Sequence, residues 1–81
     1  MLHMTRDDRA LLQFEDDHPR EGGAKDDAMR RQLGLTPVRY RIRLLRLVRM
    51  PEVIATFPTV VHRFERRLER ATAARTSRTF Q

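Results

Sequence analysis

Arg39, Arg43, Arg46 and Arg49 recur every three or four residues, a spacing that stacks side chains on one helical face. A guanidinium grips a phosphate, or the O6 and N7 edge of guanine, through two parallel hydrogen bonds, so such a row suits a nucleic-acid groove. Ile42 falls in the same sector and could touch a thymine methyl. At about 100° per residue, Tyr40, Leu44, Leu45, Leu47 and Val48 take the opposite side and form the expected core face. Ordinary solvated helices mix signs, because Glu and Lys pairs support them. Here no acidic residue occurs between Gln32 and Pro51, and an anionic partner is the simplest reason.

The elements that must position this row are set by punctuation. Met29 and Leu33 recur at i and i+4, Gly34 supplies a left-handed helix end, and Leu35 plugs a corner. Thr36 can cap the next helix, and Pro37 fits its first position, where a missing N–H costs nothing. This order, over residues 24–49, is that of a helix-turn-helix.

The 81 residues allow one domain with a small core, helped by oligomerisation. With no cysteine, neither disulfides nor a thiolate zinc site is available, which suits a cytoplasmic protein. No run has the apolar length to span a bilayer, and no signal-peptide segment is evident. The net charge of +6 is segregated: residues 1–29 hold four basic against eight acidic side chains, and residues 30–81 hold thirteen against three. One strongly basic side is implied.

In chain order, residues 1–4 read as a frayed tail. Thr5 and Asp8 form a capping-box pair for a first helix striped by Leu11, Leu12 and Phe14 and stopped by Pro19. Glu15, Asp16 and Asp17 lack calcium-loop spacing and read as a solvated helix end. A link from Arg20 to Gly23 precedes a second helix from about Ala24 to Leu33; the arginine helix ends near Arg49. Pro51 and Glu52 start a short fourth helix, with Val53, Ile54 and Phe57 expected in the core. Pro58 opens a fifth, striped by Val61, Phe64, Leu68 and Ala71, with Arg63, Arg66, Arg67 and Arg70 on its outer face, partly offset by Glu65 and Glu69. Residues from about 74 to 81 read as a flexible basic tail. The expected fold is all-α, a small bundle of four to five short helices with a central helix-turn-helix.

The order Leu12-x-Phe14-Glu15, Gly23-Ala24-Lys25, Gly34-Leu35-Thr36, Arg39-Tyr40, Pro51-Glu52 and Pro58 resembles a family of small actinobacterial proteins of unknown function, described as helix-turn-helix-like and found also in actinobacteriophages. The resemblance covers roughly residues 8 to 78 and implies a helical fold and a DNA-binding role, with no reaction or target. The chain departs from that family's pattern at His18 and Pro19, Arg41, Leu45 and Phe57. Arg30 also departs from the general motif, which has a small residue four before the corner glycine.

Catalysis finds little support. There is no thiol, His3, His18 and His62 are scattered, Ser77 is the only serine, and Gly22-Gly23 lacks a phosphate-loop pattern. No enzyme activity, metal or cofactor is expected. Tyr40 is expected in the core, and Arg41 is expected to bridge to an acid of the first helix. Phe80 reads as a stray tail residue.

The expected partner is double-stranded DNA, in transcriptional regulation. Arg39 and Arg43 would enter the major groove with Thr36 and Val38 near its edge and Ile42 on a thymine methyl. Arg46, Arg49, Lys25, Arg75 and Arg78 would meet phosphates. A nucleoid location and a homodimer through the last helix go with this reading. The alternative is a protein-interaction adaptor that docks its basic and apolar helix on a partner such as the transcription machinery. A basic helix lying on a membrane is disfavoured, because the core needs its apolar face.

Overall fold

The computed structural model describes residues 3–79, with side chains as far as Thr76. Five helices follow one another: α1 (Arg6–Asp17), α2 (Gly23–Leu33), α3 (Pro37–Leu47), α4 (Pro51–Thr56) and α5 (Pro58–Thr79). No strand occurs among the described residues, so the fold is all-α as expected.

Each boundary has a local cause. The Thr5 hydroxyl accepts from the Asp8 amide at 3.0 Å while the Asp8 carboxylate accepts from the Thr5 amide at 2.9 Å. After Asp17, the Phe14 carbonyl takes the His18 amide at 2.9 Å, and the His18 ring stacks on Phe14 at 4.1 Å between centroids. Gly34 ends α2 at φ 66° and ψ 24°, its amide donating to the Arg30 carbonyl at 3.1 Å. Two residues later the Thr36 hydroxyl accepts from the Arg39 amide at 3.3 Å, and Pro37 begins α3.

The core gathers around α1, which packs against α2, α3 and α5. Leu11, Leu12, Leu47, Val53 and Val60 are its most buried side chains, joined by Phe14, Met29, Leu35, Tyr40 and Leu44. Burying four or five such aliphatic side chains contributes about 2 kcal/mol each, before the entropy of ordering them.

Several expectations are corrected. Helix α2 starts at Gly23, next to the expected Ala24, while α3 stops at Leu47, two residues before Arg49. Arg49 and Met50 donate to carbonyls only three residues back, tightening the last turn. Met50, preceding Pro51, is extended at φ −80° and ψ 128°, as the residue before proline prefers. Met4 is buried and its amide donates to Glu52 Oε2 at 3.0 Å, so the chain is anchored from residue 4 instead of frayed there. Ile54 is exposed, because the single inward position of the six-residue α4 is held by Val53. Leu45 sits at the margin of the core face, 38% exposed.

Helix α5 continues through residues 74–79, in place of the expected flexible tail. Alanines at 71, 73 and 74 favour this extension. At 1.5 Å per residue α5 is roughly 33 Å long against about 18 Å for α1. Its apolar stripe therefore outruns its support: Val61 is buried, Phe64 half-buried, and Leu68 and Ala71 exposed.

Candidate nucleic-acid interface

The outward face of α3 and the turn that follows it carry the predicted row. Arg39, Arg43, Arg46 and Arg49 are all exposed, and Val38 and Ile42, one turn apart, are 68% and 64% exposed. None of the four guanidinium groups makes an ion pair among the described residues. Arg46 and Arg49 flank a shallow groove lined by Ile42, Leu45, Met50 and Pro51, where α3 turns into α4. Arg43 lies toward the start of α1, sharing an indentation with Asp7, Gln32, Leu33 and Leu35. Thr36, at the head of the row, is exposed, with its hydroxyl oxygen held as the helix cap.

The row stays uncompensated because the acidic residues nearest the bundle's centre are engaged elsewhere. Glu15 is buried inside the helices, where its carboxylate takes three donors. These are Lys25 Nζ at 2.8 Å, the Tyr40 hydroxyl at 2.5 Å and an Arg67 guanidinium nitrogen at 3.2 Å. Glu21 accepts from Lys25 at 3.2 Å and pairs with Arg67 at 2.7 Å, while Arg67 also donates to the Pro19 carbonyl at 3.3 Å. Asp16 holds Arg63 at 3.0 Å, and Glu52 holds the Met4 amide and Arg9. Burial, then the hydrogen bond to the Glu15 carboxylate and its charge, raise the Tyr40 phenol far above its ordinary range. Tyr40 is therefore a neutral donor at any physiological pH.

These contacts revise individual roles. Lys25, expected at phosphates, is 4% exposed and locked between two carboxylates, so it belongs to the core. Glu15 is no solvated helix end; it joins α1 to α2, α3 and α5. Arg63 and Arg67, expected on an outer face, are half-buried against acids of α1 and its following link. Arg41 does find an acid, but it is Glu21 in the link before α2, at 3.8 Å, and not a residue of the first helix. Arg75 is exposed on α5, outside the α3 row. The Arg78 side chain and Phe80 lie outside the described residues.

A signal for the buried network was present in the spacing. Glu15 stands at i+4 from Leu11, Lys25 at i−4 from Met29, and Arg67 at i+3 from Phe64. Each charge sits on an apolar stripe, where it can be tolerated only with a partner. No group of three or more His, Asp or Glu side chains suited to a metal occurs among the described residues. No described helix is long and apolar enough to cross a membrane.

No curated protein and no solved structure matches this chain. A family model does: DUF3263, whose description is "Protein of unknown function", matches residues 3–78 and so takes in α1 to α4 and nearly all of α5. The chain belongs to the DUF3263 family.

Proposed function

We propose that this protein binds double-stranded DNA by laying α3 in the major groove, as a regulator of transcription and not as an enzyme. The observation that carries this reading is the α3 face itself. Three exposed arginines and two exposed β-branched residues share α3, Arg49 follows in the tightened turn after it, and no carboxylate of the described residues forms an ion pair with any of the four. A folded domain gains nothing internally from that arrangement, since like charges at i,i+3 and i,i+4 repel.

In this reading Arg39 and Arg43 meet base edges, Thr36 and Val38 sit at the groove's rim, and Ile42 packs on a thymine methyl. Arg46, Arg49, Arg75 and Arg78 neutralise phosphates. The corner at Gly34 sets how α3 is presented, in the manner of a helix-turn-helix. A nucleoid location follows, and a second copy, joined along Leu68 and Ala71 of α5, would double the number of contacts.

Titration of random and selected duplexes at several salt concentrations tests this. The logarithm of affinity should fall linearly with the logarithm of salt, with a slope of about −0.9 for each phosphate neutralised. Arg46→Ala should lower that slope by about one contact for every sequence, whereas Arg39→Ala and Arg43→Ala should remove sequence preference. Unchanged duplex binding by the triple variant would falsify the proposal.

One observation favours a second reading. The groove between Arg46 and Arg49 has an apolar floor of Ile42, Leu45, Met50 and Pro51, which fits an acidic, amphipathic segment of a partner protein. Absence of any duplex binding would transfer support to that adaptor role.

A further inference from the structure

A second basic surface lies on α5, and none of its residues belongs to the α3 row. Arg63, Arg66, Arg67 and Arg70 line one concavity with Pro19. Two of the four are anchored: Arg63 by Asp16 at 3.0 Å, and Arg67 by Glu15, Glu21 and the Pro19 carbonyl. The Nε of Arg63 is buried without an acceptor among the described residues, so the protein leaves that guanidinium incompletely satisfied. Arg66 and Arg70 are exposed, one helical turn apart, and form no ion pair among the described residues. Glu65 and Glu69 do not line the concavity.

We propose that this α5 surface grips the phosphate backbone of a second DNA segment, so that one molecule joins two duplexes. The inference rests on the duplex-binding role of α3. The geometry favours a polyanion over a single phosphate, because residues 63 to 70 extend roughly 10 Å along the helix axis. That length spans about three base-pair steps of a duplex axis, at 3.4 Å each. Anchored Arg63 and Arg67 hold the frame, and Arg66 and Arg70 supply the free charge. Helix α1 packs against both α3 and α5, and its Glu15 and Asp16, with Glu21 beyond, take up Arg63 and Arg67 beside this second surface.

The test uses the whole chain. Protein loaded on a bead-bound duplex of about two helical turns is challenged with a second, labelled duplex of the same length. Wild type should retain the labelled duplex, and Arg66→Ala/Arg70→Ala should lose at least tenfold of that retention. The same variant should bind a single duplex in solution within about threefold of wild type, and melt with wild type, since neither side chain has a partner to lose. Single-duplex binding without retention by wild type overturns the second surface and leaves the α3 reading standing. Retention that survives Arg66→Ala/Arg70→Ala also overturns it, because two α3 faces of a dimer would then account for the joining. Absence of binding to any duplex overturns both.

Discussion

Arg67 and Arg46 are the same residue type on helices of one small bundle, and they meet opposite fates. Arg67 lies across the link after α1, held by Glu15, Glu21 and the Pro19 carbonyl. Arg46 stands on α3 beside Ile42 and Leu45, and no carboxylate of the described residues reaches it. The difference is supplied by their neighbours. The C-terminal half of α1 and its link present Glu15, Asp16 and Glu21 to α5, while α3 faces outward from a stretch with no acid between Gln32 and Pro51. An arginine's role is thus settled by what packs against its helix, and only the leftover set is available to a partner.

The largest test of that contrast is Glu15→Ala. It strands Lys25 as a buried ammonium with only the exposed Glu21 for company, and it leaves the Tyr40 hydroxyl without its acceptor. Breaking such a buried pair costs about 3–5 kcal/mol, a large share of the stability a domain of this size can have. Urea denaturation should register that loss, with Glu15→Gln falling between the variant and wild type. A cost under about 1 kcal/mol would make the network no stronger than a surface pair.

Next comes Arg67→Ala, at about 2 kcal/mol, because it removes donors from two carboxylates while Lys25 and Tyr40 still hold Glu15. The side chain is 31% exposed, so water replaces part of what is lost. The same denaturation assay distinguishes it from Arg46→Ala, for which the outward face predicts a change near zero.

Tyr40→Phe should cost about 1 kcal/mol at neutral pH, through one hydrogen bond. Its sharper signature is in alkali. The folded phenol holds its proton more tightly than the unfolded one, whose ordinary value is 10.0. Its contribution is therefore complete below about pH 10 and is lost progressively as pH rises above it, where the unfolded chain ionises and the folded one does not. Wild type should accordingly lose more stability than Tyr40→Phe between pH 9 and pH 11, roughly one pH unit either side of the ordinary tyrosine value. Equal slopes would mean that the Tyr40 phenol is neither buried nor held by the Glu15 carboxylate.

Much of this architecture was legible. Thr5 with Asp8, Gly34, Thr36 with Pro37, and the prolines at 51 and 58 each act through their own backbone chemistry, so spacing alone locates them. The α3 face was legible for the same reason: one helix and one period decide which side each residue takes. Charged residues on apolar stripes were harder. Lys25 and Glu15 are ten positions apart and Glu15 and Arg67 fifty-two, and nothing local names the partner. A lysine read without its partner looks like a phosphate contact, as Lys25 does in the sequence. The extent of α5 failed for a different reason, since a tail of small and basic residues has helix propensity but no core contact to predict it.

The smallest effect is the one that most directly probes the uncompensated face. Arg46 has Arg43 at i−3 on α3 and Arg49 in the tightened turn that follows, and a like-charge pair at helical spacing destabilises by about 0.2–0.5 kcal/mol. Arg46→Gln keeps a long side chain of comparable helix propensity and removes both repulsions. It should leave the protein unchanged or more stable by a few tenths of a kcal/mol at low salt, and the gain should vanish as salt screens exposed charges. Stability and binding should then move in opposite directions for a single residue: a slightly firmer fold, a weaker grip on duplex DNA. A loss of about 1 kcal/mol or more on Arg46→Gln would instead mean that the guanidinium already serves the fold, and the division between engaged and available arginines would collapse.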